Sequence, residues 1–164
     1  MARSKIKHFK GFSIVDGDIR VKLNMNRFER QFQRAQYRLD GDVMNSMVPF
    51  MPMVTGSFIN ATRAASAAVQ GSGEVYAAYG PQGRFLYEGK TMVDEKTGST
   101  WARRGAKKVL VSEFGGKTNA KPDLTYTRQA HPKAQSHWFD AAKKADGKKW
   151  IRDVKKTAGG GQRG

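Results

Sequence analysis

Residues 26–49, NRFERQFQRAQYRLDGDVMNSMVP, are the stretch that decides the fold. Phe28, Phe32, Ala35, Leu39, Val43 and Met47 recur at three- and four-residue steps, which on a helix makes one apolar stripe. Arg27, Arg30, Arg34 and Arg38 fall mainly on the polar side. Asn26 can accept a hydrogen bond from the first free amides, and Glu29 can reach back to it, as in a capping box. Gly41 weakens the middle. Pro49 and Pro52 end the run, because proline has no amide hydrogen and clashes with the preceding turn.

Working outward, Ile19, Val21 and Leu23 alternate with Arg20 and Lys22, the period of a half-buried strand, and Asp16-Gly17 suits a tight hairpin turn before it. Beyond the helix, residues 53–79 mix small and β-branched residues. They read as strands near 57–63 and 73–79, with a helix over the alanine-rich residues 60–70 as the alternative. Residues 84–89 suggest a short helical turn closed by Gly89. Short strands are expected at 90–94, 107–112 and 124–127, with turns at Lys96-Thr97-Gly98 and Gly115-Gly116. His131-Pro132 would open a last helix, with Trp138, Phe139, Ala142 and Ala145 inward and a break at Gly147. Residues 1–156 are expected to form a single domain, and the glycine-rich residues 157–164 a mobile tail.

The chain holds 30 Lys and Arg against 14 Asp and Glu, and the excess is uneven. Residues 1–40 carry ten basic and four acidic side chains, residues 41–100 four and five, and residues 101–164 sixteen and five. A near-neutral middle between basic flanks should attract polyanions in a salt-dependent way. The bland counterpart is a solvated basic surface that meets an acidic partner. There is no cysteine, which excludes disulfides, thiolate catalysis and cysteine-based metal sites. No run approaches the roughly 20 apolar residues that cross a bilayer, and residues 1–10 lack the pattern of a secretory signal.

Catalytic motifs are missing or incomplete. Gly89-Lys90-Thr91 resembles the end of a P-loop, but its first glycine would fall on Arg84; Gly116-Lys117-Thr118 would need one at Val111. Both read as turns with an exposed lysine. His8, His131 and His137 have no clustered carboxylates to complete a metal site. Asp16 with Asp18, and Asp40 with Asp42, are ordinary turn chemistry at glycines. Met44, Met47, Met51 and Met53 read as core packing, with a subunit contact as the alternative. Phe9, Phe12, Tyr37, Trp101, Tyr126 and Trp138 interleave with the basic ends, a generic feature of single-strand binders without a recognition motif. No enzyme, metal or cofactor is expected.

Three segments taken together carry a family resemblance: PMVTGSF at 52–58, YGPQGRFLYEGK at 79–90 and HPKAQSHWF at 131–139. In order and spacing they resemble the minor capsid proteins of phages infecting mainly Gram-positive bacteria, within the neck or tail-completion proteins that join the filled head to the tail. The resemblance spans about residues 18–145. It departs at Gln82 and Gly83, where the family pattern has an aromatic and an alanine.

What the resemblance implies is an α+β fold, with a small antiparallel sheet packed against the long helix and a C-terminal helix beside them. It implies a ring with the tail's six-fold symmetry, in contact with other copies of itself and with adjoining neck and tail-tube rings. The site would be the virion neck, reached from the host cytoplasm, with no membrane and no small-molecule substrate. Thr55 and Gly56 would fix the turn from the helix, and Tyr79, Phe85 and Tyr87, within the segment carrying Arg84, Gly89 and Lys90, would anchor the core under the loop or, as the alternative, the neighbouring subunit. Trp138 and Phe139 would lock the last helix. On the basic C-terminal flank, Lys143, Lys144, Lys148 and Lys149 would meet acidic surfaces of adjoining rings or DNA in the channel. A tail-terminator or head-closure ring is the alternative within this class, and a basic nucleic-acid-binding protein the alternative outside it.

Overall fold

The computed structural model describes residues 12–16, 19–23, 25–101 and 103–159, the first two stretches as backbone. The fold is α+β. Strands β1 (Phe12–Asp16) and β2 (Ile19–Leu23) precede helix α1 (Asn26–Met47), which ends in a 3₁₀ turn over Val48–Phe50. Helices α2 (Ser57–Ala68) and α3 (Gly83–Glu88) follow, then strands β3 (Met92–Asp94) and β4 (Lys108–Leu110), a 3₁₀ turn over Val111–Glu113 and helix α4 (Trp138–Ala158). The chain divides into two compact units, one comprising Met1–Ser46, Arg63–Tyr76 and Ala142–Gly164, the other Met47–Thr62 and Ala77–Ala141.

In the first unit, β1 and β2 pair antiparallel from Phe12 opposite Leu23 to Asp16 opposite Ile19. The expected turn at Gly17, and the inward face of Ile19, Val21 and Leu23, lie outside the described residues and side chains. Helix α1 follows its apolar stripe: Ala35 is buried, Phe32, Leu39 and Val43 are partly so, and only Phe28 at the first turn stays about half exposed (49%). Helix α4 docks on it. The indole nitrogen of Trp150 donates to the Ser46 hydroxyl (3.1 Å), and the Arg38 guanidinium lies 3.8 Å from the Asp153 carboxylate. That anchoring explains why Gly147 fails to break α4 as expected. The cost of a helical glycine, about 1 kcal/mol, is smaller than the gain from burying Trp150. The helix also continues past the expected boundary at 157. Thr157 donates its hydroxyl to the Asp153 carbonyl (2.9 Å), the Gly159 amide bonds to Lys155 (2.8 Å), and residues 160–164 lie outside the described set.

In the second unit, β3 and β4 pair antiparallel, Met92 opposite Leu110 and Asp94 opposite Lys108. The strand expected at 124–127 is absent. Here the Leu124 amide bonds to the Gly89 carbonyl (2.8 Å), and Lys90 opposite Asp123 makes an isolated bridge. The last helix starts at Trp138, not at His131, because His137 has φ +48°, incompatible with a continuous right-handed helix.

The strand expected near 57–63 is instead helix α2, the alternative reading of this stretch. Ile59, Thr62 and Ser66 are buried at three- and four-residue steps, a helical period that the β-branched composition hid. Residues 73–79 are irregular, since their amides are taken by α2 side chains: Tyr76 by the Ser66 hydroxyl (3.1 Å) and Tyr79 by the Thr62 hydroxyl (3.2 Å). Of the methionines, Met44, Met47 and Met51 are buried and Met53 partly so.

Candidate functional site

The three segments singled out in the sequence converge in the second unit around Trp138, which is fully buried. Its indole nitrogen donates to the Ala77 carbonyl (2.7 Å). The Phe58 ring meets it edge-on at 5.9 Å and the Tyr87 ring at 4.9 Å, the perpendicular geometry that aromatic quadrupoles favour. The chain leading to α4 is stitched to the end of the 3₁₀ turn: Gln135 donates its amide to the Phe50 carbonyl (3.0 Å), and a ring nitrogen of His131 lies 2.8 Å from the Met51 carbonyl. The His137 amide bonds to the Tyr87 carbonyl (2.9 Å), and its ring packs on Tyr87 at 5.0 Å. Burial, then the negative charges of Asp140 and Glu88, raise the Tyr87 phenol above its ordinary pKa, so it stays neutral.

Gly89 closes α3 in the left-handed conformation (φ +72°), and a side chain there would crowd the Ser136 β-carbon and the Tyr126 hydroxyl, each 3.1 Å from the added atom. The Tyr126 hydroxyl donates to the Leu86 carbonyl. Gly83, where the resembling family has alanine, sits so close to Ala78 that a methyl group would fall 3.1 Å from the Ala78 β-carbon. At Gly56 the chain turns with φ +78°, and the Thr55 hydroxyl accepts the Ser57 amide at the entry to α2 (3.4 Å).

The expected site residues thus divide. Gly56, Gly89 and Trp138 are buried, and Tyr87 joins Trp138 in the aromatic junction. Thr55, Tyr79, Arg84 and Lys90 are exposed and Phe139 and Phe85 partly so; the Tyr79 amide bonds to the Thr62 hydroxyl of α2. Lys90 pairs with Asp123 (2.7 Å), and β3 rather than a helix follows it. Thr118 donates its hydroxyl to the Gly98 carbonyl (2.7 Å). Both P-loop-like triplets are therefore engaged in loop structure. Lys143, Lys144, Lys148 and Lys149 are exposed on α4, in the first unit.

Two carboxylates organise loops, and one of them, Asp40, expected with Asp42 to be turn chemistry at Gly41, lies instead within helix α1. Asp40, on α1, is buried and accepts the amides of Gly71 (2.7 Å) and Gly73 (3.1 Å) and the Gln36 side chain (2.7 Å). Its signal was a charge four residues before the inward Met44. Asp94, at the end of β3, has no exposed surface. It accepts the amides of Lys96 (2.8 Å) and Thr97 (3.1 Å) and a two-pronged contact from Arg103 (3.1 and 3.2 Å).

The Arg103 guanidinium, with the loop amides, holds the Asp94 carboxyl well below the usual carboxylate range. A carboxyl depressed in the folded state stabilises the fold above its unfolded pKa and loses that contribution as pH falls below it. We expect the urea midpoint of the wild-type chain to drop between about pH 4 and 2 more steeply than that of Asp94→Asn, measured by circular dichroism across that range. Parallel curves would show that the loop does not contribute to acid stability.

Among the described residues no group of three or more His, Asp or Glu is placed to hold a metal ion, and no helix is long and apolar enough to cross a membrane. Comparison of the chain with protein-family models, with curated proteins and with solved structures finds no match.

Proposed function

We propose that the chain is a structural virion protein that joins the DNA-filled head to the tail, assembling as a ring at the neck of a long-tailed phage. One observation carries this reading: the three segments that resemble the neck proteins, far apart in sequence, meet around Trp138 in one packed junction. Of their side chains, Tyr87 and Trp138 pack the junction, while Thr55, Tyr79, Arg84 and Lys90 stay exposed. Head-to-tail contacts between copies suit a closed ring around a channel.

The exposed Lys143, Lys144, Lys148 and Lys149 support docking to acidic surfaces of the adjoining rings. Electron microscopy of lysates from a phage lacking only this gene is the test. Full heads beside finished, unattached tails are expected. Overlong tails would instead indicate a terminator ring, empty heads a head-closure ring, and normal joined particles would refute a neck role. Glutamate at the four lysine positions is expected to cut joined particles at least about tenfold, because charge complementarity governs encounter, while the purified protein stays folded. Normal joining by that variant would remove the lysines from docking.

A further inference from the structure

We infer that the outward face of α1 binds the phosphate backbone of double-stranded DNA through Arg27, Arg30 and Arg34, with Tyr37 beside them. The inference goes beyond the neck reading, which uses the lysines of α4, and the two fail independently.

The first ground is spacing. The three arginines stand three and four residues apart and are all exposed, so they form one line on the helix, about 10 Å long at 1.5 Å per residue. Duplex DNA carries about one negative charge per 1.7 Å of axis, so a line of that length faces several phosphates.

The second is that the arginines are unspent. Arginines that serve this fold are paired: Arg103 grips Asp94, and Arg38 lies 3.6 Å from Asp42 and 3.8 Å from Asp153. Among the described residues no carboxylate lies within ion-pair distance of Arg27, Arg30 or Arg34. Three neighbouring guanidinium groups repel one another, and a polyanion relieves that repulsion.

The third is a formed groove of about 500 Å³ bounded by Arg30, Gln33, Arg34, Tyr37 and Gly71. Its far wall is fixed. Asp40 holds the Gly71 amide (2.7 Å), the Gln70 side chain donates to the Tyr37 carbonyl (2.9 Å), and the Tyr37 ring packs beside Gly71. The Gln33 side chain donates to the Glu29 carboxylate (2.9 Å), so arginine and tyrosine are the side chains offered to phosphate oxygens, and such contacts position a duplex without reading its sequence. The guanidinium fork also matches phosphate geometry in two-pronged fashion.

The test is fluorescence anisotropy of the full chain with an end-labelled DNA duplex of about 20 base pairs across a salt series. Arg27→Gln, Arg30→Gln and Arg34→Gln together should weaken binding at least about tenfold and lower the log–log salt slope by about 3, since each phosphate contact contributes about 0.9. Lys107→Gln, Lys117→Gln and Lys121→Gln together remove equal charge from exposed positions elsewhere and should change affinity less than about threefold. The triple Arg→Lys variant should keep most of the slope, which separates lost contacts from lost folding. Equal weakening by both glutamine triples would show that net charge alone drives binding and would overturn the inference. So would the absence of duplex binding by the wild type at low salt. Tighter binding to a single strand of the same length would overturn the choice of duplex.

Discussion

Replacing Trp138 by alanine is expected to destabilise the protein by about 3–5 kcal/mol, the range for removing a large aromatic side chain from a packed interior. The residue has no exposed surface, so its whole side chain leaves a void. Two edge-on ring contacts disappear, to Phe58 and to Tyr87, and the Ala77 carbonyl loses its donor. For a chain of this size each kcal/mol moves the thermal midpoint by about 2–4 °C, so a drop on the order of 10 °C is expected by circular dichroism. Trp138→Phe separates the terms. It keeps an aromatic edge for Tyr87 but has no N–H, and should cost about 1–3 kcal/mol through the orphaned carbonyl and the smaller ring. If the alanine variant melted within a few degrees of the wild type, the three segments would not depend on this junction.

The second large effect is expected at Asp40. Asp40→Ala leaves two amides, of Gly71 and Gly73, without their acceptor, one of them buried with its donor, and frees the Gln36 side chain. At about 1–3 kcal/mol for each group left unsatisfied, a loss of about 2–5 kcal/mol follows, less whatever entering water restores. Asp40→Asn retains an oxygen for the two amides, and Gln36 can turn its amide to present an acceptor. That variant should lose only about 1 kcal/mol, the difference between a charged and a neutral acceptor. Urea unfolding of both variants checks this; equal losses would mean that the negative charge, not the pair of accepted amides, matters at this position.

These two residues also mark what the sequence disclosed. Trp138 was legible because an aromatic pair in a recognisable pattern announces itself, and α1 was legible because a long apolar stripe has one periodicity. The α+β class came from the resemblance carried by the three segments. Asp40 was hidden because its partners are backbone amides 31 and 33 residues away, which no side-chain pattern records. Asp94 was hidden for the same reason: the turn at Lys96-Thr97-Gly98 was readable, but not the carboxylate that gathers its amides, nor Arg103 closing over it. Residues 57–63 misread as strand because threonine and isoleucine suit either state, and burial, a property of the folded chain, decided for the helix. The start of α4 was misplaced because a proline can open a helix, whereas the left-handed His137 that prevents it leaves no mark in composition.

The junction around Trp138 has a further bearing on inheritance. Its directional contacts run largely to main-chain carbonyls, at Phe50, Met51, Ala77, Leu86 and Tyr87, which any residue at those positions supplies. Such a frame tolerates drift in the side chains facing outward while its few anchors stay put. Descendants of one ancestor could therefore keep these anchors and exchange every surface that meets a neighbour. Likeness in the anchors would then trace lineage, and the choice of neighbour would be written elsewhere on the chain.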